Sequence, residues 1–398
     1  MENQADKKDN LRTLGLFFFN PFLSFLYSLK FFYKPIFADY FCLLIIYYGF
    51  TFHIPSLEFD SYQYYLELKD YRYTEISFND FLHNTFGGHG NLDLVIPFII
   101  FILSKITDSS SILFGVFGCL FGIFWRNILK IILNEGISRS LFSMIILLSL
   151  LACVGMWNIN GIRFWLTTLV FFNAILLLEF RSDRKGYYLL FLTPFFHFSF
   201  LLIIILYLVY RFLNRFISRN ILLCIVILTN FLSFINIETI SNLMIDYLPE
   251  FFSSKISVYT SVEYMQQVGD IILETNPLLL IHGYLLRIFN IGCFVFVLCN
   301  YEVRSLIPMR FLNFWGVLLV FAQVVVNIPS MGRFLFLTYL ISLTIFLFTY
   351  QKFNIWLKYS LVFLLVLYTS GQLWIFRDFF TRKFFLSNPF LFFLDKIL

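Results

Sequence analysis

Four ionisable side chains stand inside apolar runs, where a lipid-buried helix has little tolerance for charge. Arg287 falls near the middle of the run over 277–300, His197 near the middle of the run over 187–210, Arg163 opens 161–180 and Arg333 opens 332–350. A charge near the centre of a membrane helix costs about 2.5 to 3.5 kcal/mol on insertion scales, so such residues face a cavity, a partner or a substrate by default. Arg163 and Arg333 lie near run ends and have the alternative of snorkelling to a headgroup. Arg287 is too deep for that. His197 has a plainer alternative, a neutral imidazole bonded to a neighbouring backbone or hydroxyl group. Several arginines in one wet cavity would make an anion site, because the planar guanidinium fork matches phosphate oxygens.

A second polar group lies in the connection over 55–91. Asp60, Tyr62, Tyr64 and Tyr65 are followed by Asp70, Tyr71, Arg72 and Tyr73. Such a run offers carboxylates to sugar hydroxyls and rings to sugar faces. The competing reading is a solvated loop with an interfacial aromatic belt.

The elements that position these residues belong in lipid. Of 398 residues, 60% are hydrophobic and 13% charged, against about 25% charged in soluble domains. Apolar runs fall at about 36–54, 92–106, 112–133, 140–157, 161–180, 187–210, 220–236, 277–300, 310–328, 332–350 and 355–375. Most are long enough for a helix to cross roughly 30 Å of hydrocarbon. The expectation is an all-α polytopic integral membrane protein with about ten or eleven transmembrane helices. A cytoplasmic or interfacial segment over 1–35 precedes a single transmembrane domain over 36–375, and a short tail over 376–398 follows. The N-terminal segment lacks a small-residue cleavage signature and is read as an interfacial stretch, not a removable signal peptide.

The 57 Phe and 23 Tyr are read as lipid-facing bulk and not as base-stacking platforms, so no nucleic acid partner is expected. All six cysteines lie in apolar segments without CxxC spacing, and no histidine stands at metal-site spacing from carboxylates or thiols. Neither a metal nor a cofactor is expected.

The two long connections, 55–91 and 237–276, hold 12 of the 24 acids and only 3 of the 29 Lys and Arg. The positive-inside tendency puts both outside and the N-terminus in the cytoplasm. Strict alternation of the six intervening runs would place two basic clusters outside, Arg126 with Lys130 and Arg139, and Arg181 with Arg184 and Lys185. The preferred alternative lets 92–106 and the Pro194-broken run 187–210 enter and leave on one side. That puts those bases inside and 158–163 outside. Re-entrant backbone is tolerated only where protein or water covers it.

Four local patterns, in order along nearly the whole chain, resemble the EpsG-like branch of the Wzy-type polysaccharide polymerases. An Asp followed by spaced tyrosines in the first outer loop is matched by Asp60, Tyr64 and Tyr71. An Asn-x-x-Arg-like element opening a membrane helix is matched by Asn158, Asn160 and Arg163. A Phe-His-x-Ser element is matched by Phe196, His197, Phe198 and Ser199, and a late helix opening with Arg and carrying a Tyr by Arg333 and Tyr339. Two departures stand out: Phe164 replaces the usual Gln after the Arg, and the acidic residue ahead of the second membrane segment is matched only loosely by Asp93.

The resemblance implies a glycosyltransferase at the outer face of the bacterial inner membrane. It would move a growing glycan from its undecaprenyl pyrophosphate carrier onto a fresh lipid-linked repeat unit of O-antigen, capsule or exopolysaccharide. Arg163, Arg287 and Arg333 would hold the departing pyrophosphate without metal, and His197 or Asp60 would act as base. Tyr64, Tyr65, Asn158 and Asn160 would contact sugars. Its partners would be the lipid-linked glycan donor and acceptor, membrane lipids and a chain-length regulator. Two rival readings remain. A lipid-linked oligosaccharide flippase should show internal repeats, and none is visible. A membrane acyltransferase of surface sugars needs a histidine near an acid, and His83, His89 and His197 lack one at short spacing.

Overall fold

The computed structural model describes residues 4–74, 76–86, 93–232, 278–326 and 331–389, together with 261, 266 and 328. All regular elements among the described residues are helical. The connection over 237–276, read as the second acidic loop, lies outside the described residues apart from Ser261 and Gln266.

The chain divides into two compact units, Met1–Leu202 with Phe376–Leu398, and Ile203–Ile375. The first begins with α1 (Gln4–Phe19) and α2 (Pro21–Ser28), separated where Pro21 denies the helix a donor. The Asn20 side chain caps α2 by accepting from the Leu23 N–H at 2.9 Å. Then come α3 (Ile36–Phe50), α4 (Asp60–Tyr73), α5 (Phe78–Phe86), α6 (Val95–Ser104), α7 (Ser110–Asn134), α8 (Leu141–Cys153), α9 (Ile162–Ile175) and α10 (Gly186–Phe196). The chain passes through α11 (Phe200–Leu213) into the second unit, which contains α12 (Arg219–Leu232), α13 (Leu278–Cys299), α14 (Met309–Val325), α15 (Phe334–Thr349) and α16 (Ile355–Ile375). The tail returns to the first unit, where Tyr48 donates to the Phe379 carbonyl at 3.0 Å and Asn20 to that of Phe385 at 2.7 Å.

Among the described residues four helical stretches are long and apolar enough to cross a membrane: Ser110–Asn134, Leu141–Phe180, Ile281–Cys299 and Met331–Lys352. Five others are apolar but shorter, among them Ile36–Phe50, Val95–Ser104 and Gly186–Phe196. Several of the eleven runs read from hydropathy form shorter helices, as at α3, α6 and α10. The stretch Leu141–Phe180 is itself broken by a 3-10 turn over Met156–Gly161. The first long connection is not an extended loop either, since α4 and α5 occupy most of it.

The first unit is organised around the antiparallel pair α3 and α7. Phe52 and Phe114 rings meet at 4.5 Å at one end, and Asp39 pairs with Arg126 and with Lys130, the latter at 2.9 Å, at the other. Gly115, Gly118 and Gly122 line the α7 side. A Cβ on Gly118 would stand 2.9 Å from the Ile45 carbonyl oxygen, one on Gly122 3.0 Å from that of Cys42, and one on Gly49 would strike the Phe114 carbonyl. Small residues at this spacing let two backbones touch where lipid offers no hydrophobic drive to association. Gly118→Leu is expected to cost at least about 1–3 kcal/mol, as overpacking does. It should lower the thermal midpoint in detergent clearly more than Gly118→Ala, and an unchanged midpoint would refute this packing.

Because α3 and α7 are antiparallel, the chain between them starts and ends at the same end of the pair. Within it α6 begins where the Leu94 N–H donates to Phe195 O at 2.8 Å. It ends where Arg72, in the last turn of α4, donates to the Ser104 and Lys105 carbonyls at 3.1 and 3.0 Å. Ten residues rise only about 15 Å, so α6 does not traverse the pair. The bases Arg126 and Lys130 lie at the Asp39 end, and Arg181 joins Glu135 at 3.2 Å beyond the end of α7. Residues 158–163 lie at the opposite end, where Asn160 meets Ser61.

Candidate functional site

At the end of the α3 and α7 pair that meets α4, four stretches distant in sequence converge: the first turns of α4, the 3-10 turn leading into α9, the junction at Asp93 and the junction at His197. Asn160 fixes the first contact, its Oδ1 accepting the Ser61 N–H at 3.2 Å. Gly161 leaves room for the next, since a Cβ there would stand 3.5 Å from an Asp60 carboxylate oxygen and 3.3 Å from the Trp165 ring. Two residues on, Arg163 projects toward α4. Its Nε donates to the Tyr64 hydroxyl at 3.3 Å, and its guanidinium lies 5.5 Å from the Tyr64 ring centroid.

Asp93 is the hub of the site. Its carboxylate is buried just ahead of α6, with 8% of the side chain exposed. Oδ2 takes His197 Nδ1 at 2.9 Å and lies 3.7 Å from an Arg163 Nη, while Oδ1 accepts the Phe198 N–H at 2.8 Å. The α10 helix carries Pro194 and ends at Phe196, so His197 and Phe198 leave helical geometry and can turn to Asp93. A carboxylate only accepts, so Nδ1 carries the hydrogen, and in the neutral imidazole the lone pair falls on Nε2. The imidazole stands edge-on to Phe164 at 5.6 Å. Arg163 and His197 each keep 29% of their side chains exposed, so both retain an open side.

Several expected sugar contacts fall differently. Tyr64 is only 3% exposed and packs edge-on against Phe117 at 5.9 Å. It therefore offers no ring face to a sugar and orients Arg163 instead. Burial, opposed by Arg163 and aided by Asp60, pushes its phenol up to about 12. Tyr65 faces Lys69, whose ammonium sits 4.5 Å from its ring centroid. Asn158 is buried within the 3-10 turn, and Asn160 positions α4. Arg287 and Arg333 belong to the second unit. Arg287 is 8% exposed and donates to the Asn230 carbonyl at 3.0 Å, and Arg333 closes the short turn that opens α15.

Two residues that sequence reasoning discounted or passed over belong to this site. Asp93 stands 104 residues before His197, and only the fold brings them together. Glu67 lies one helical turn beyond Tyr64 on α4. Burial raises its carboxyl above the ordinary range, Arg163 works against that rise and Asp70 adds to it. A group raised in the folded state stabilises the protein while protonated, and that stability fades as pH climbs through its folded value. Glu67→Gln is accordingly expected to melt higher than wild type at pH 7, with the gap closing at about pH 4, near an ordinary carboxyl value. Equal midpoints across that range would mean that Glu67 carries no burial penalty.

Compared with family models, with curated proteins and with solved structures, the chain matches none.

Proposed function

We propose that this protein is a membrane-embedded glycosyltransferase that joins undecaprenyl-pyrophosphate-linked oligosaccharide repeat units into a surface polysaccharide at the outer face of a bacterial inner membrane. The observation that carries the reading is the meeting of Arg163, Asp93 and His197 with two open sides, at the end of the unit away from Arg126, Lys130 and Arg181. By the positive-inside tendency the basic end is cytoplasmic, so the site faces outward.

The chemistry assigns each group a task. The bond between the anomeric carbon and the pyrophosphate oxygen breaks, and the electron pair leaves with the pyrophosphate. Arg163 offsets the charge gathering on that leaving group, in a setting where Tyr64 and Asp93 already fix the guanidinium. The acceptor sugar hydroxyl forms the new bond and gives its proton to His197 Nε2, while Asp93 stabilises the imidazolium. Asp60, beside Gly161, remains a second candidate for that proton. Arg287 and Arg333 stay proposed pyrophosphate contacts, carried by the family resemblance.

The His197 and Asp93 pair also favours a second reading, a membrane acyltransferase, because it supplies the histidine-and-acid arrangement that the sequence spacing lacks. Reconstitution in liposomes with a labelled lipid-pyrophosphate repeat unit separates the readings. The glycosyltransferase converts label into longer glycans still on the carrier. Acyl transfer to the sugar without elongation, or movement of intact lipid between leaflets, overturns the proposal in favour of an acyltransferase or a flippase.

A further inference from the structure

The opposite end of the first unit carries a cavity that glycan transfer does not use. It encloses about 430 Å³ and is lined by Asp9, Asn10, Lys30, Tyr33, Lys34 and Arg139 among others. Its cations come from separate stretches: Lys30 from the 3-10 turn after α2, Lys34 from the turn before α3, and Arg139 from the connection between α7 and α8. The Tyr33 ring has the Arg139 guanidinium 5.4 Å from its centroid and the Lys34 ammonium at 5.8 Å. Among the described residues Asp9 is the one acid in the lining. It is engaged by Lys30 at 3.1 Å and by the Tyr27 hydroxyl at 3.0 Å, while Lys30, Lys34 and Arg139 all line the same cavity.

The two helices beside this cavity cannot be solvated on every side. Leu11, Phe18 and Phe19 of α1 are 64%, 57% and 66% exposed, and Leu23 and Leu26 of α2 are 45% and 44% exposed. Short helices with large outward apolar residues and lysines nearby lie in the plane of the bilayer interface. That seats the cavity at headgroup depth, on the side whose Arg126 and Lys130 mark it as cytoplasmic. Anionic lipids give that leaflet its negative surface potential, and each Lys or Arg near it is worth about 1 kcal/mol of attraction.

We propose that this cavity binds the phosphate of an anionic phospholipid headgroup, with Lys30, Lys34 and Arg139 around the phosphate and the acyl chains lying along the apolar faces of α1 and α2. A lipid held there ties α1, α2 and the α7 to α8 connection together at the membrane surface. The site is independent of the glycan-transfer reading and stands if that reading fails.

Native mass spectrometry of the full-length protein in detergent tests it, with phosphatidylglycerol, phosphatidylcholine and inorganic phosphate as probes. Wild type is expected to retain phosphatidylglycerol over phosphatidylcholine. The double variant Lys30→Gln, Arg139→Gln should bind phosphatidylglycerol about 25-fold more weakly, from about fivefold per cation, with phosphatidylcholine unaffected. Equal retention of the two lipids by wild type overturns the proposal without reference to any variant. So does full phosphatidylglycerol binding by the double variant, and displacement of the lipid by millimolar inorganic phosphate reassigns the cavity to a free anion.

Discussion

Arg163→Ala is expected to lower the initial rate of lipid-linked repeat consumption by about 10²–10³-fold, the usual cost of removing one preorganised group aimed at developing charge. Arg163 is held from two sides, by the Tyr64 hydroxyl at 3.3 Å and the Asp93 carboxylate at 3.7 Å, so its fork is oriented before substrate arrives. Arg163→Lys keeps the charge and loses the fork, and should fall between the two, because an ammonium cannot bridge two phosphate oxygens in a fixed plane. The substitution leaves Asp93 its bonds to His197 and the Phe198 N–H, so folding should survive. Rates in membranes holding equal amounts of each protein decide the matter, and Arg163→Ala within threefold of wild type removes Arg163 from the reaction.

The second large effect is expected at Asp93, where two substitutions separate chemistry from folding. Asp93→Asn retains an oxygen for the Phe198 N–H but turns an N–H toward His197. The imidazole must then accept at Nδ1 and carry its hydrogen at Nε2, so the proposed base is lost. A fall of about 10²-fold or more in rate follows if His197 is the base, with little change in thermal midpoint. Asp93→Ala adds a structural cost of about 3–5 kcal/mol, because it unpairs the groups gathered around a buried charge. Full activity in Asp93→Asn would mean that the His197 tautomer is irrelevant and would shift the role of base to Asp60 or Glu67.

Much of the architecture was legible from hydropathy, and the reason it was incomplete is specific. Apolar composition marks lipid exposure, yet it does not mark where a run breaks. Pro194 signalled one break, and the structure turns it into the α10 to α11 junction that frees His197. For the run 92–106 only the charge distribution argued that it enters and leaves on one side; it forms the ten-residue α6. The signal for the α3 and α7 pair was present in the spacing of Gly115, Gly118 and Gly122 and went unread. Of the candidates taken from residue type and order, the fold brings Arg163, His197, Asp60 and Asn160 to the same end of the first unit. Asp93 was named but given no role, and Glu67 was passed over. Asp93 matches its pattern loosely and acts through a contact across 104 positions. Glu67 looked like one more acid in a solvated loop, whereas it stands half-buried on α4, near enough to Arg163 to feel its charge. Tyr64 stands at the same end with its ring covered and its hydroxyl accepting from Arg163.

The most direct test supplies purified protein in detergent, with EDTA present, with a lipid-pyrophosphate-linked repeat unit and resolves the glycans by size. A ladder of longer chains is expected from wild type and is lost in Arg163→Ala and in His197→Ala, with all three proteins remaining folded. Wild-type protein that leaves the repeat unit unelongated, or a ladder undiminished in both variants, would contradict the proposed function.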